Sequence, residues 1–103
     1  MSKRCRSDLN QAAIVSHLRQ IGASVRVVSQ HGIGFDLLVA YRRMVYLVEV
    51  KRPGKSNDLT DNEAQTMAKF SNYLVIECVD DFLRQTIKRG QDDEFILYSN
   101  NGQ

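Results

Sequence analysis

Tryptophan is absent from this chain, proline occurs once, and cysteine only twice. No apolar run approaches the ~20 residues that a membrane-crossing helix needs. The basic opening, Met1 to Arg6, is not followed by the apolar core of a signal peptide. These absences predict a cytoplasmic protein with no membrane partner. Cys5 and Cys78 lie far apart in sequence and lack metal-ligand spacing, so both read as reduced thiols. The single proline, Pro53, falls in a loop, and no repeat, low-complexity tract or linker divides the chain. A large excess of one charge is missing too: the formal net charge is +2, which by itself does not announce a nucleic-acid binder.

What remains is an ordinary globular composition, 43% hydrophobic and 25% charged. At 103 residues it suits one domain covering positions 1–103 and is too short for two. Charge is unevenly distributed. Lys3, Arg4 and Arg6 open the chain, Arg42 and Arg43 stand together, and Lys51, Arg52 and Lys55 form a third group. A fold could gather these into one basic face, although charge runs are usually solvated surface.

Hydrophobic periodicity sets out the elements. Leu9, Ala13, Ile14, Leu18 and Ile21 predict a helix from Ser7 to Ile21, capped by Ser7 or Asp8 and stopped by Gly22. Val25 to Ser29 reads as a strand, and His31-Gly32-Ile33-Gly34 as a turn. The Gly32/Gly34 pair is too short for a phosphate loop. Phe35 to Tyr41 and Met44 to Val50 are apolar, β-branched segments separated only by Arg42 and Arg43, which predicts a hairpin, although Arg-Arg is a poor tight-turn pair. Apolar residues on both faces of each segment predict central strands covered on both sides. Lys51 to Asp58 is a loop. Thr60-Asp61-Asn62-Glu63 forms a capping box that opens a second helix. Tyr73 to Cys78 is a strand, Asp80 to Arg89 a helix, and Glu94 to Tyr98 a closing strand. The predicted order is α-β-β-β-α-β-α-β, an α/β domain with a mixed sheet, antiparallel in the hairpin and parallel across the helix crossover to Tyr73. Tyr46, Met67 and Phe70 sit at core spacings and read as packing.

The chemistry concentrates on the hairpin. If Arg42 and Arg43 form a two-residue turn, Tyr41 faces Met44, and counting outward sets Asp36 against Glu49 on one sheet face. Two carboxylates so placed among valines and leucines repel unless a proton or cation sits between them. Oxygen ligands suit Mg²⁺ or Mn²⁺. Lys51, two residues beyond Glu49, points to the same face, and the Val50 carbonyl at that sheet end offers a third ligand. Carboxylates, metal and lysine on one edge form a phosphodiester-cleaving arrangement. The bland alternative is a turn aspartate and a solvated Glu-x-Lys; it needs two coincidences inside one apolar hairpin.

Gly-Phe-Asp-Leu-Leu-Val-Ala-Tyr (34–41), Val-Tyr-Leu-Val-Glu-Val-Lys (45–51) and Leu-Thr-Asp-Asn-Glu (59–63) together resemble the PD-(D/E)XK nuclease superfamily. The small phage and bacterial members related to VRR-NUC domains and archaeal Holliday-junction resolvases are the nearest in pattern. The similarity runs from about Ser7 to Arg89. It implies a restriction-endonuclease-like core, one or two Mg²⁺ ions and DNA as substrate. Asp36 matches the metal-binding aspartate, Glu49 the second acidic ligand and Lys51 the catalytic lysine. Phe35 replaces the family's proline, which does no chemistry. Gln11 falls where resolvase-like members carry a glutamate; its amide can orient water but binds a cation more weakly, and its spacing from Asp8 also fits a helix cap. Glu63 stands where relatives often have glutamine, and the capping box accounts for it.

The expected activity is therefore endonucleolytic cleavage of DNA, structure-dependent or weakly sequence-specific, by Asp36, Glu49 and Lys51 with Gln11 in support. Arg6, Arg52, Lys55 and His31 are candidate DNA contacts, with solvated loop charge as the alternative for each. A homodimer is expected, because many relatives cut two strands with two sites, and replication or recombination proteins of a phage or its host are possible partners. The rivals are a catalytically weak nuclease-fold module that binds DNA or protein, and a small inhibitor or accessory subunit.

Overall fold

The computed structural model describes residues 10–89. The expected cap residues Ser7 and Asp8, the candidate DNA contact Arg6 and the closing strand from Glu94 to Tyr98 lie outside that range. Asn10 caps the first helix, α1 (Gln11–Gln20), its side chain accepting the Ala13 N–H at 2.9 Å. This corrects the expected start at Ser7: an asparagine three residues before a free helical N–H satisfies that donor itself. Gln11 is thus the first residue of the helix. Ile14, Val15 and Leu18 form the buried stripe. Gly22, at φ 98°, reverses the chain in the left-handed region. There Gly22 N–H donates to Arg19 O and Ala23 N–H to Leu18 O, the paired bonds of a Schellman motif.

Strand β1 (Ser24–Val27) is shorter than expected, since Val28 leaves extended geometry for a 3-10 turn over Ser29–His31. Strands β2 (Leu37–Tyr41) and β3 (Met44–Val50) form the predicted hairpin in the predicted register, with Tyr41 opposite Met44. Helix α2 (Asp61–Lys69) begins with the complete capping box of Thr60 and Glu63, and β4 (Tyr73–Ile76) follows. A third helix, α3, occupies residues 79–89. The four strands make one mixed sheet in the order β1-β2-β3-β4; β1, β2 and β3 are antiparallel neighbours and β4 runs parallel to β3. The coarse expectation of an α/β domain with a mixed sheet therefore holds.

The core lies on one sheet face. Val25, Leu37, Val39, Tyr46, Val48, Leu74 and Ile76 meet Ile14 and Leu18 of α1 and Phe82 of α3. The Phe82 ring stands edge-on to Tyr41 and Tyr46, with centroids 5.5 and 5.6 Å apart. Each side chain of this size contributes about 1.5–3 kcal/mol on full burial.

The opposite face departs from expectation. Both faces were expected to be covered, yet Val45 is 50% exposed, and so in part is Leu38. The α2 residues Met67 and Phe70, read as packing, are 39% and 49% exposed. The cause is the length and placement of α2: nine residues long, it buries Thr66 alone and sits at the Glu49 end of the sheet, leaving the hairpin end bare. Cys78 corrects a second expectation. It is buried and disulfide-bonded rather than a reduced thiol. Among the described residues, no helix is long and apolar enough to cross a membrane.

Candidate active site

Asp36 stands one residue before β2. The ladder between β2 and β3 ends at Leu37–Val48, so Asp36 is not a ladder partner of Glu49 as simple counting suggests. Its N–H donates to Val48 O at 2.9 Å and its carbonyl accepts from Val28 N–H at 2.8 Å. Its carboxylate then does what a backbone carbonyl would do in a longer strand, Oδ2 accepting the Val50 N–H at 2.9 Å. Side chain and main chain are both tied to β3, which fixes the carboxylate at the sheet end. Val50, proposed as a carbonyl ligand, is thereby held directly against Asp36.

Glu49 lies on β3 opposite Val75 of β4 and is only 4% exposed. Burial is the main force on its carboxyl, pushing it up to about 8; a hydrogen bond with Glu63 and the charges of Asp36 and Glu63 add to this, and Lys51 opposes it. Lys51 lies on the same side, as the two-residue strand period predicts. Its Nζ is 2.8 Å from Glu63 Oε1 and 3.4 Å from Glu49 Oε2. The bond to Glu63 is the largest influence holding the lysine above its usual range. In Glu63, burial pushes upward, but the bonds from Lys51 and the Thr60 N–H outweigh it, and the group is held below the ordinary carboxylate range. The proton shared between the two glutamates therefore belongs on Glu49, and Glu63 is the anion.

These acids open onto a pocket of about 220 Å³ lined by Ser29, Gly32, Gly34, Phe35, Asp36, Glu49, Thr60, Asn62 and Glu63. Its walls are joined across elements. Asn62 Nδ2 donates to Gly32 O at 3.0 Å, and the Tyr73 hydroxyl donates to Gly34 O at 2.6 Å in a buried bond. Burial and the neighbouring carboxylates raise the Tyr73 pKa, which keeps its phenol a neutral donor. Gly34 has φ 93°, and a β-carbon there would run into the Thr66 side chain. Only glycine lets the loop lie against α2.

Asp36, Glu49 and Lys51 are thus brought together. Gln11 reaches the site indirectly, Nε2 donating to Ser29 Oγ at 3.3 Å. His31, Arg52 and Lys55, the other candidate DNA contacts, are exposed and do not line the pocket; Lys55 lies 3.8 Å from Asp58. Nothing in the sequence marks Asn62 or Tyr73 for the pocket, and the capping box accounts for Glu63 well enough to put a catalytic role second. The signal for Glu63 was present, since a capping-box acid three residues into a helix can serve a second donor with the same oxygen.

Among the described residues, no group of three or more His, Cys, Asp or Glu is placed to hold a metal ion. The donors that fit one are two carboxylates, Asp36 and Glu49, supplemented by backbone oxygen. Their chemistry suits a hard divalent cation. No family model matches the chain, and neither a curated protein nor a solved structure matches it significantly.

Proposed function

We propose that the chain is a Mg²⁺- or Mn²⁺-dependent endonuclease that hydrolyses DNA phosphodiester bonds, with a restriction-endonuclease-like core. The observation that carries this reading is Glu49: a carboxyl 4% exposed, facing Asp36 and Glu63 in one pocket, with Lys51 beside it. A fold gains nothing from burying such a group unless it holds something there. The sheet order, with a meander of three strands and a parallel fourth, agrees with the resemblance.

In this reading Asp36, Glu49 and the Val50 carbonyl hold the ion. The bound cation would supply Lewis-acid polarisation of the phosphate and a more acidic water. The protein's own groups do the rest. Asp36 is fixed by the Val50 N–H, and Glu49 would have to be ionised to serve as a ligand. Lys51 turns its ammonium toward the attacked phosphate, where it orients water and offsets developing negative charge. Ser29 lines the pocket, and Gln11 supports it by donating to the Ser29 hydroxyl. A domain this small has little surface for reading sequence, so the substrate is DNA recognised by structure or weakly by sequence. The protein acts as a homodimer, alongside replication or recombination proteins of a phage or its host.

A second reading, a nuclease-fold module without turnover, is favoured by one feature: Lys51 satisfies both glutamates, and Asp36 already spends one oxygen on Val50. Cleavage of branched, duplex and single-stranded DNA in Mg²⁺ or Mn²⁺ separates the two. Activity that is lost in Asp36→Ala, Glu49→Ala and Lys51→Ala, each still folded, supports the enzyme. Metal binding with no cleavage of any DNA by wild type supports the module.

A further inference from the structure

The β2–β3 turn adopts a conformation that its residues disfavour. Arg42 and Arg43 both have positive φ, 50° and 69°, as a two-residue hairpin turn of this kind demands. Asn-Gly meets that demand with little strain, whereas residues with long side chains are disfavoured in the left-handed region. Both arginines are exposed, and among the described residues neither forms a salt bridge. The Arg42 guanidinium lies 5.4 Å from the centre of the Tyr41 ring, and Tyr41 is braced edge-on by Phe82. That contact steadies the cation without neutralising it. Among the described residues, the tip therefore presents two guanidiniums without an ion-pair partner on a rigid support, at the expense of backbone strain. Strain of this kind persists where function opposes its removal.

We propose that the Arg42–Arg43 tip is a second DNA contact that takes the phosphate backbone of a duplex whose scissile bond lies at Asp36 and Glu49. The identity of the anion rests on the nuclease reading. The pocket is acidic and repels phosphate, so affinity for the backbone has to come from elsewhere. Guanidinium is the group suited to it, because its fork of donors matches phosphate oxygens. Arg42 stands six residues from Asp36, roughly 20 Å along an extended strand, which is about six base pairs of duplex. Arg26 is exposed on β1 opposite Leu38, between the two ends.

The test compares wild type, R42N/R43G and R42K/R43K by thermal melting and by fluorescence anisotropy on a labelled duplex of roughly 30 base pairs, several times the proposed span. Ca²⁺ replaces Mg²⁺ in the binding buffer, and cleavage in Mg²⁺ is followed separately. R42N/R43G is expected to melt several degrees higher, roughly 4–8 °C per kcal/mol of relieved strain. It should bind on the order of tenfold more weakly, with a salt dependence shallower by about two units of log–log slope. R42K/R43K keeps both charges and should retain the wild-type slope. Wild-type affinity and slope in R42N/R43G, a lower melting temperature in that variant, or no duplex binding by wild type overturns the proposal. Absence of cleavage with the binding pattern intact would instead remove the nuclease reading and leave the docking site standing.

Discussion

Gly34 and Tyr73 show how single residues hold the pocket together. The loop before Asp36 rests on α2 because Gly34 has no β-carbon to meet Thr66, and the Tyr73 hydroxyl supplies the donor its carbonyl needs. Gly34→Ala adds both a clash and a left-handed strain, and is expected to destabilise by about 2 kcal/mol or more. Tyr73→Phe leaves a buried carbonyl unpaired, which costs about 1–3 kcal/mol. Since the two act on one strut, the double variant should lose less than the sum; strict additivity in urea titrations would argue that they are independent. Glu63→Gln isolates a different role. The glutamine can still cap the Thr60 N–H but no longer holds Lys51 by charge, so cleavage should fall by more than the melting temperature, which loses only the Lys51–Glu63 ion pair. Asp36, Glu49 and Lys51 were legible because strand alternation fixes which side chains share a face. Glu63 was not, because one adequate local explanation, the capping box, concealed a second bond made across twelve residues.

Among the elements, the hairpin and the parallel crossover were readable from the two-residue turn and from the helix between β3 and β4. The helix start was misplaced because Asn10 competes with Ser7 and Asp8 for the same role, and periodicity does not choose among cappers. The reading of α2 failed for another reason. Spacing shows which residues share a helix face, but not whether anything lies opposite. Met67 and Phe70 share such a face and remain about half exposed. Two substitutions separate these cases by magnitude. Phe82→Ala removes a fully buried ring that braces Tyr41 and Tyr46 and is expected to cost about 3–5 kcal/mol. Phe70→Ser should cost under about 1 kcal/mol, because a half-exposed side chain loses little burial. A loss at Phe70 comparable to that at Phe82 would show that α2 is covered in solution.

For the molecule as a whole, the electrostatics of the pocket link stability to pH and, on the proposed reading, to metal. Glu49 has a folded pKa raised to about 8, above the ~4.3 of a free glutamate. Between those values the folded chain binds the extra proton, so metal-free stability falls as pH rises, by up to about 1.4 kcal/mol per pH unit, and levels off above about 8. Glu63 acts in the opposite sense. Its pKa is lowered on folding, so its contribution is present above the free value and is lost as pH falls through the folded one. Lys51 is raised, and its contribution persists until the alkaline range above the ordinary lysine value. Of these three groups, Glu49 is the one that sets a slope in neutral solution. A divalent ion competes with the proton on that carboxyl, so stabilisation by Mg²⁺ should be small near pH ~6 and grow to its full value above about 8. Glu49→Gln should abolish both the decline of metal-free stability and the growth of the metal effect, since an amide neither titrates nor binds the ion strongly. Melting temperatures measured across this range with EDTA and with Mg²⁺ decide the point. A wild-type curve flat in pH without metal would show that Glu49 is already ionised against Lys51, and would leave no unmet charge for a cation to satisfy.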